Sequence, residues 1–342
     1  MIFFLISFFL GLVFYFINNY FKNLNFIPNY KGKKHQTFSG FKTVPLTGGI
    51  FLSFLSIFLF YQYDPLFSLL IIPIFLSGFI SDINFLSSPK LRFLIQAVLI
   101  ITSVYLLEIS IYPTKFIFLD YLLENIYFKY FFSVFCLLIV INGSNFIDGL
   151  NGLLIGYISI VLFYLYKTSL ILSLGVSNDI FLYILILFLF ILFLNFSNKL
   201  FLGDSGAYSL SFLLGFILIK IYNLNNLISP YFIILLLWYP CFENLFSIIR
   251  KFVYKSNPLN PDSQHLHQYL FSYIKKKFNF GDLTTNNLSS LIINIFNFFI
   301  FFIAASKLYH TKIQLFLLAI CILTYVLSYK ILKKKQKLFK KK

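Results

Sequence analysis

Three aspartates, Asp82, Asp148 and Asp204, stand far apart in the chain but in one kind of sequence, a Gly-, Ser- or Asn-rich break between long apolar runs. The breaks read FISDINFLSSPKLRFLIQ, INGSNFIDGLNGL and FLGDSGAYSL. Carboxylates are costly in or beside a bilayer, so several on one membrane face point to a divalent metal holding phosphate oxygens. Mg²⁺ suits that work, with Mn²⁺ as the alternative, because it takes a few carboxylates completed by phosphate and water. Gly149, Gly152, Gly203 and Gly206 follow or flank two of the aspartates, and residues without a Cβ let backbone N–H groups approach a ligand. Helix N-termini reaching the same face would add partial positive charge suited to a diphosphate. Taken singly, each aspartate reads as readily as a helix N-cap or a solvated loop charge. Capping alone leaves the glycines, and the histidines below, unexplained.

The stretch NPLNPDSQHLHQYL adds Asp262, His265 and His267. On a helix, side chains two apart diverge, so a zinc pair is a weak reading; donors to phosphate oxygens, with their pKa raised by the anion, fit better. Two solvated surface histidines are the bland alternative. Upstream, the basic segment KGKKHQTFSGFKTVPLTGGI contributes Lys42 and the pair Gly48-Gly49. Lys31, Lys33, Lys34 and the Lys-rich C-terminus read as attraction to anionic lipid.

The elements that position these residues are apolar. Of 342 residues, 59% are hydrophobic and 11% charged, with a mean hydropathy of +0.86, which excludes an ordinary soluble domain. The fold expected is all-α and polytopic, one membrane domain over residues 1–332 with its motifs at 35–270, and a Lys-rich cytoplasmic tail at 333–342. Eleven apolar stretches are candidate transmembrane helices, near Ile2–Tyr20, Gly48–Tyr63, Leu66–Ile80, Phe93–Ile111, Tyr130–Ile141, Leu150–Tyr166, Ile180–Phe196, Ala207–Ile221, Ile228–Ile249, Leu288–Ala305 and Ile313–Leu332. The first lacks a basic leader and a small-residue cleavage site, so it reads as a span and not as a signal peptide. The bias toward Phe, Ile, Leu, Asn and Lys runs through loops and spans alike and reads as base composition. Cys136, Cys241 and Cys321 lie in apolar stretches, odd in number and without a C-x-x-C pair, which argues against a disulfide framework or zinc site.

With eleven spans the loops fall into two sets, and the set that holds the motifs and the C-terminus carries 22 of the 28 basic residues. The positive-inside rule puts that set in the cytoplasm and the N-terminus outside. The net charge of +17 therefore follows topology, and nucleic acid is not an expected partner. A transporter or lipid flippase is the rival class. It would require ionisable residues at mid-bilayer and broken helices in symmetric halves, whereas Glu108 and Glu243 are the main charges near these spans and no internal repeat is visible.

At five stretches, HQTFSGFKTVPLTGGI, FISDINFLSSPKLRFLIQ, NFIDGLNGL, FLGDSGAYSL and PDSQHLHQYL, the chain resembles the polyprenyl-phosphate N-acetylhexosamine-1-phosphate transferases of glycosyltransferase family 4. That family includes the phospho-MurNAc-pentapeptide transferase and the initiating GlcNAc-1-phosphate transferases of O-antigen and teichoic acid synthesis; VPLTGGI, SSPKLRFLIQ and the interrupted HLHQ look like the initiating branch. The resemblance implies a multi-pass enzyme of the bacterial cytoplasmic membrane, working among membrane lipids, that moves a sugar-1-phosphate from a UDP-sugar to polyprenyl phosphate and releases UMP. It leaves room for a homodimer. By the same resemblance Asp204 matches the Mg²⁺ ligand, joined by Asp148 as an essential carboxylate, and His265 and His267 match the phosphate-contacting motif. Lys42, Asn151 and Phe201 fall where the family lines its uridine pocket, and Asn145, Lys90 and Asp262 are further substrate-binding candidates. Asp82 would orient the lipid phosphate or a metal-bound water.

Two positions depart from the family. Ser81 stands where an Asp, often assigned as the base, usually precedes Asp82, and Gln268 stands where another His is usual. Ser81 raises the alternative of an impaired homologue. Against it, a phosphate monoester with a second pKa of about 6 is already largely dianionic at neutral pH and needs no strong base. Direct displacement at the β-phosphorus is the expected route; an aspartyl-phosphate intermediate on Asp82 or Asp148 is the other.

Overall fold

The computed structural model describes residues 2–23, 29–30, 44–111, 113–255 and 263–341. Among them the chain is almost entirely helical. The helices are α1 (Ile2–Asn23), α2 (Gly48–Tyr61), α3 (Pro65–Asp82), α4 (Pro89–Leu106), α5 (Ile117–Leu123), α6 (Ile126–Ile147) and α7 (Leu153–Lys167), followed by α8 (Asn178–Phe196), α9 (Gly203–Leu224), α10 (Pro230–Leu236), α11 (Trp238–Val253), α12 (Leu266–Phe278), α13 (Asp282–Ser306) and α14 (Thr311–Lys341). Two short antiparallel strands, β1 (Asn29–Tyr30) and β2 (Val44–Pro45), pair between α1 and α2.

Seven helices, α3, α4, α6, α8, α9, α13 and α14, are long and apolar enough to cross a membrane, and the bent pair α10 and α11 makes up to eight. Part of α1 with α2 and α7 are apolar but shorter. Each of the eleven stretches expected as spans contains a helix, and the fold is the all-α polytopic one the sequence implies, but seven or eight of these helices and not eleven are long and apolar enough to cross. Two differences stand out. Helices α5 and α12 are additional and short, and the expected span Ile228–Ile249 is broken, with α10 and α11 meeting at 74°. Pro240 explains the break. A proline has no N–H to donate to the carbonyl four residues back, and its ring clashes with that carbonyl. Here that carbonyl is Leu236, the last residue of α10, and it accepts instead from the Tyr157 hydroxyl at 3.0 Å.

Helix α9 is the axis of the bundle. Some 78% of its apolar window is buried, against 22% for α4, whose Leu94, Val98, Ile101 and Tyr105 form an exposed apolar stripe toward lipid. Since lipid is as apolar as leucine, helices associate here through close packing of small residues and polar contacts. Ser53 of α2 meets Ser209 of α9 with 2.5 Å between hydroxyl oxygens. Gly78 of α3 lies so close to α9 that a Cβ there would sit 2.5 Å from the Ser205 Cα.

Replacing Gly78 by Val should therefore force α3 and α9 apart. We expect a loss of about 2 kcal/mol or more, seen as a lowered melting temperature of the detergent-purified protein, while Val at exposed Leu94 leaves melting unchanged.

Candidate active site

The ends of α3, α6 and α9 bring the three aspartates together. Asp82 is the last residue of α3, and both oxygens of its carboxylate accept backbone N–H bonds from the first turn of α9, from Asp204 at 2.8 Å and Ser205 at 3.0 Å. Those N–H groups have no partner within their own helix, and the helix dipole adds positive charge there. Gly203 makes the junction possible. Its φ of +75° suits glycine, and a Cβ would come within 2.7 Å of the Asp82 carboxylate.

Asp204 is held from the other side. Its Oδ2 accepts from the Ser81 hydroxyl at 2.5 Å and from the Arg92 guanidinium at 3.1 Å, and the same Arg92 nitrogen donates to Ser81 Oγ at 3.0 Å. Ser81, which stands where the family usually has an Asp, therefore orients Asp204. Asp82 positions the α9 N-terminus before it orients any substrate.

Asp148 follows the last turn of α6 and completes the cluster. Burial raises its carboxyl well above the ordinary range, and the charges of Asp204 and Asp82 push it the same way. Carboxylates that repel one another fit a divalent cation, which would remove the repulsion. Among the described residues no three His, Cys, Asp or Glu side chains form one coordination set. Asp148 and Asp204 would thus supply the protein's share, with the remaining positions left to phosphate oxygens and water, as Mg²⁺ prefers.

The two histidines open α12. The His265 Nδ1 lies 2.9 Å from Glu243 Oε1 of α11, and its backbone N–H donates to the Gln268 side chain at 3.1 Å. His267 is wholly buried, its ring stacked 5.6 Å from that of His265, and neither ring nitrogen has a hydrogen-bond partner among the described residues. Its Nε2 faces Gly149, next to Asp148, at 3.0 Å from where a Cβ would stand. Burial pushes the imidazole down to about 3, with the Glu243 charge opposing and His265 assisting. Without an anion beside it His267 is a neutral ring with one N–H to give, and the raised pKa expected from sequence would have to come from a bound phosphate.

The other candidates divide. Asn151 is 4% exposed and serves the scaffold, its N–H donating to Asn286 at 2.7 Å and its side chain to Asn198 at 3.2 Å. Phe201 is held by its backbone, donating to Pro45 at 2.9 Å and accepting from Gly48 at 3.0 Å. Asn145 is partly buried one turn before Asp148, and Lys90 is exposed in the first turn of α4. Lys42 and Asp262 lie outside the described residues. Sequence reasoning missed Arg92 and Glu243 as partners of the site. Both had a signal: Arg92 is a cation in the Asp82 motif, and Glu243 a carboxylate inside an apolar stretch.

Residues 65–222, which hold all three aspartates, match the family model described as glycosyl transferase family 4. The chain is 28% identical to the undecaprenyl-phosphate alpha-N-acetylglucosaminyl 1-phosphate transferase of Thermotoga maritima over 236 residues, 68% of this chain and 69% of that protein. It is 30% identical to the probable undecaprenyl-phosphate N-acetylglucosaminyl 1-phosphate transferase of Bacillus subtilis over 253 residues, 71% of this chain and 66% of that one. A Salmonella typhi protein named like the first is 28% identical, over 70% of this chain and 67% of its own length. Each alignment thus covers about two thirds of the relative.

Two substitutions in the cluster should move stability in opposite directions. Asp82→Asn places an amide NH₂ against backbone N–H groups and should cost about 1–2 kcal/mol. Asp148→Asn removes a repelled carboxylate and, in chelator at pH 8, should gain about 1 kcal/mol at most, since Asp148 keeps some solvent contact. Thermal melts of the two variants beside the parent check both signs.

Proposed function

The chain belongs to glycosyl transferase family 4, and we propose that it transfers a sugar-1-phosphate, of the N-acetylhexosamine class, from a UDP-sugar to polyprenyl phosphate in the membrane, releasing UMP. The names of the relatives support the acceptor and the transferred group, and they give a transporter reading no support. The observation that carries the proposal is the convergence of Asp82, Asp148 and Asp204 beside the opening of α12, where His267 meets Gly149. Such a cluster is suited to a ligand that brings phosphate and a cation together.

In this reading an oxygen of the lipid phosphate attacks the β-phosphorus of the UDP-sugar. The new P–O bond forms as the bond to the bridging oxygen breaks, and UMP leaves with that oxygen. Catalysis then rests on positioning and charge balance more than on a strong base. Asp82, with both oxygens taken up by α9 N–H groups, suits that better than a role as base or nucleophile. Asp148 and Asp204 would hold Mg²⁺, which when bound neutralises the diphosphate. Arg92, 3.1 Å from Asp204, would add positive charge beside the diphosphate, and His267 would donate its one N–H to a phosphate oxygen. The product is the polyprenyl-diphosphate-linked sugar from which an envelope glycan is begun.

The test is exchange of labelled UMP into UDP-sugar by the purified protein with polyprenyl phosphate. We expect exchange only with divalent cation, and a fall of about 100-fold or more in Asp204→Asn. An Asp204→Asn variant within tenfold of the parent would remove that residue from the cation site, and no exchange across a panel of UDP-sugars would remove the reaction.

The 22 basic residues on one set of loops support an active face in the cytoplasm of a bacterium, where UDP-sugars are made. Ser263 precedes His265, and Leu227, 80% exposed, lies between α9 and α10 at the far end. A membrane-impermeant thiol reagent should label Ser263→Cys only in inverted vesicles and Leu227→Cys only in right-side-out ones. The opposite pattern would place the site outside.

A further inference from the structure

Near the end of the bundle where α12 begins, α11 and α14 line a groove of about 500 Å³ that none of Asp82, Asp148, Asp204, His265 or His267 lines. Helix α14 lines it with Val326, Lys330, Lys333, Lys334 and Lys337, which share one stripe of the helix by their spacing. From α11 come Arg250 and the apolar Phe246, Ile249 and Val253, with Tyr254 just beyond. No acidic side chain is among the described residues that line it. Lys333 donates to the Tyr254 hydroxyl at 3.2 Å and lies 4.8 Å from its ring centre.

Four lysines at i, i+3, i+4 and i+7 repel one another, a cost that falls when an anion sits among them. The floor beside them is apolar and open, with Ile249 63% and Val253 72% exposed. A free anion has no use for such a floor. An amphiphile uses both parts, its charged head among the lysines and its chain along α11 in the membrane.

We propose that this groove binds an anionic phospholipid of the surrounding leaflet, its phosphate held by Lys330, Lys333, Lys334 and Lys337 and an acyl chain laid on Ile249 and Val253. The attraction of lysines to anionic lipid expected from sequence is diffuse; this site is built, with walls from two helices. It also stands behind the active site. Helix α11 carries Glu243, the partner of His265, and Tyr329 of α14 packs at 5.3 Å against Tyr269 in the first turn of α12. A lipid that ties α11 to α14 braces the helix that orients His265, whatever reaction the site performs.

The full chain in detergent is titrated with fluorescent phosphatidylglycerol and, separately, with fluorescent phosphatidylcholine. We expect saturable binding, at least about tenfold tighter for phosphatidylglycerol, given about a fivefold effect available from each of several lysines near an anionic headgroup. Lys330→Gln, Lys333→Gln, Lys334→Gln and Lys337→Gln together should abolish that preference, and Arg at the same four positions should keep it. Lys275→Gln, Lys276→Gln and Lys277→Gln on α12, outside the groove, should bind as the parent does. Equal loss in the α12 variant would mean diffuse attraction and overturn the proposal. So would displacement of the lipid by millimolar inorganic phosphate, or by polyprenyl phosphate well below the concentration of unlabelled phosphatidylglycerol needed. Should the four-Gln variant fail to fold, the unaltered protein decides: phosphatidylglycerol binding indifferent to a rise from about 50 to about 500 mM salt overturns it.

Discussion

Both oxygens of Asp82 are occupied by the first N–H groups of α9, and the placement of the site follows from that pair of bonds. A carboxylate at the C-terminus of its own helix meets an unfavourable dipole, and it is relieved here by the N-terminus of another. The bonds therefore tie α3 to α9 end to end. Gly78 lies one turn back on the same face of α3, so the close approach at Ser205 and the bonds from Asp82 form one interface. With the start of α9 fixed, Asp204 faces Ser81 and Arg92 and can take few other positions.

Asp148 and His267 depend on a second constraint, polar groups crowded or enclosed without a neutralising partner. Asp148 is held near two other carboxylates, and His267 is enclosed with no partner for either ring nitrogen among the described residues. A buried polar group left unsatisfied costs free energy, which a ligand that bonds to it would recover. The histidine pair is supported by Glu243 from a helix whose direction is set by Pro240, through the break after Leu236. One proline in α11 thus decides where the partner of His265 stands.

The apolar stretches were legible because lipid leaves the backbone no choice but helix, and the three aspartates because a carboxylate in such a chain needs a reason. The short helix α12 was not, since LHQYLFSYIKKKF is too short and too polar to be counted as a span and carries its histidines before any regular pattern begins. Arg92 and Asp204 are 112 residues apart, and nothing local announces that they pair. The asparagines gave no local signal either. Taken as base composition, Asn195, Asn198, Asn286 and Asn294 turn out to pin the backbone and side chain around Asn151 and Gly152, the loop that follows Asp148. A compositional bias supplies residues without saying which of them the fold will use.

The two departures from the family's pattern share one physical form. Ser81 replaces an ionisable carboxyl with a hydroxyl that donates to Asp204 and accepts from Arg92. Gln268 replaces an ionisable imidazole with an amide that accepts the backbone N–H of His265. In each case a neutral hydrogen-bonding group fixes a neighbouring site residue, and a charge that could titrate is gone. An aspartate at position 81 would stand a hydrogen bond away from Asp204 and add a fourth negative charge to a cluster already strained by three. The serine adds no charge to that repulsion, and together with Arg92 it holds Asp204 by hydrogen bonds. Here both replaced side chains are engaged, and each is engaged with a residue of the site.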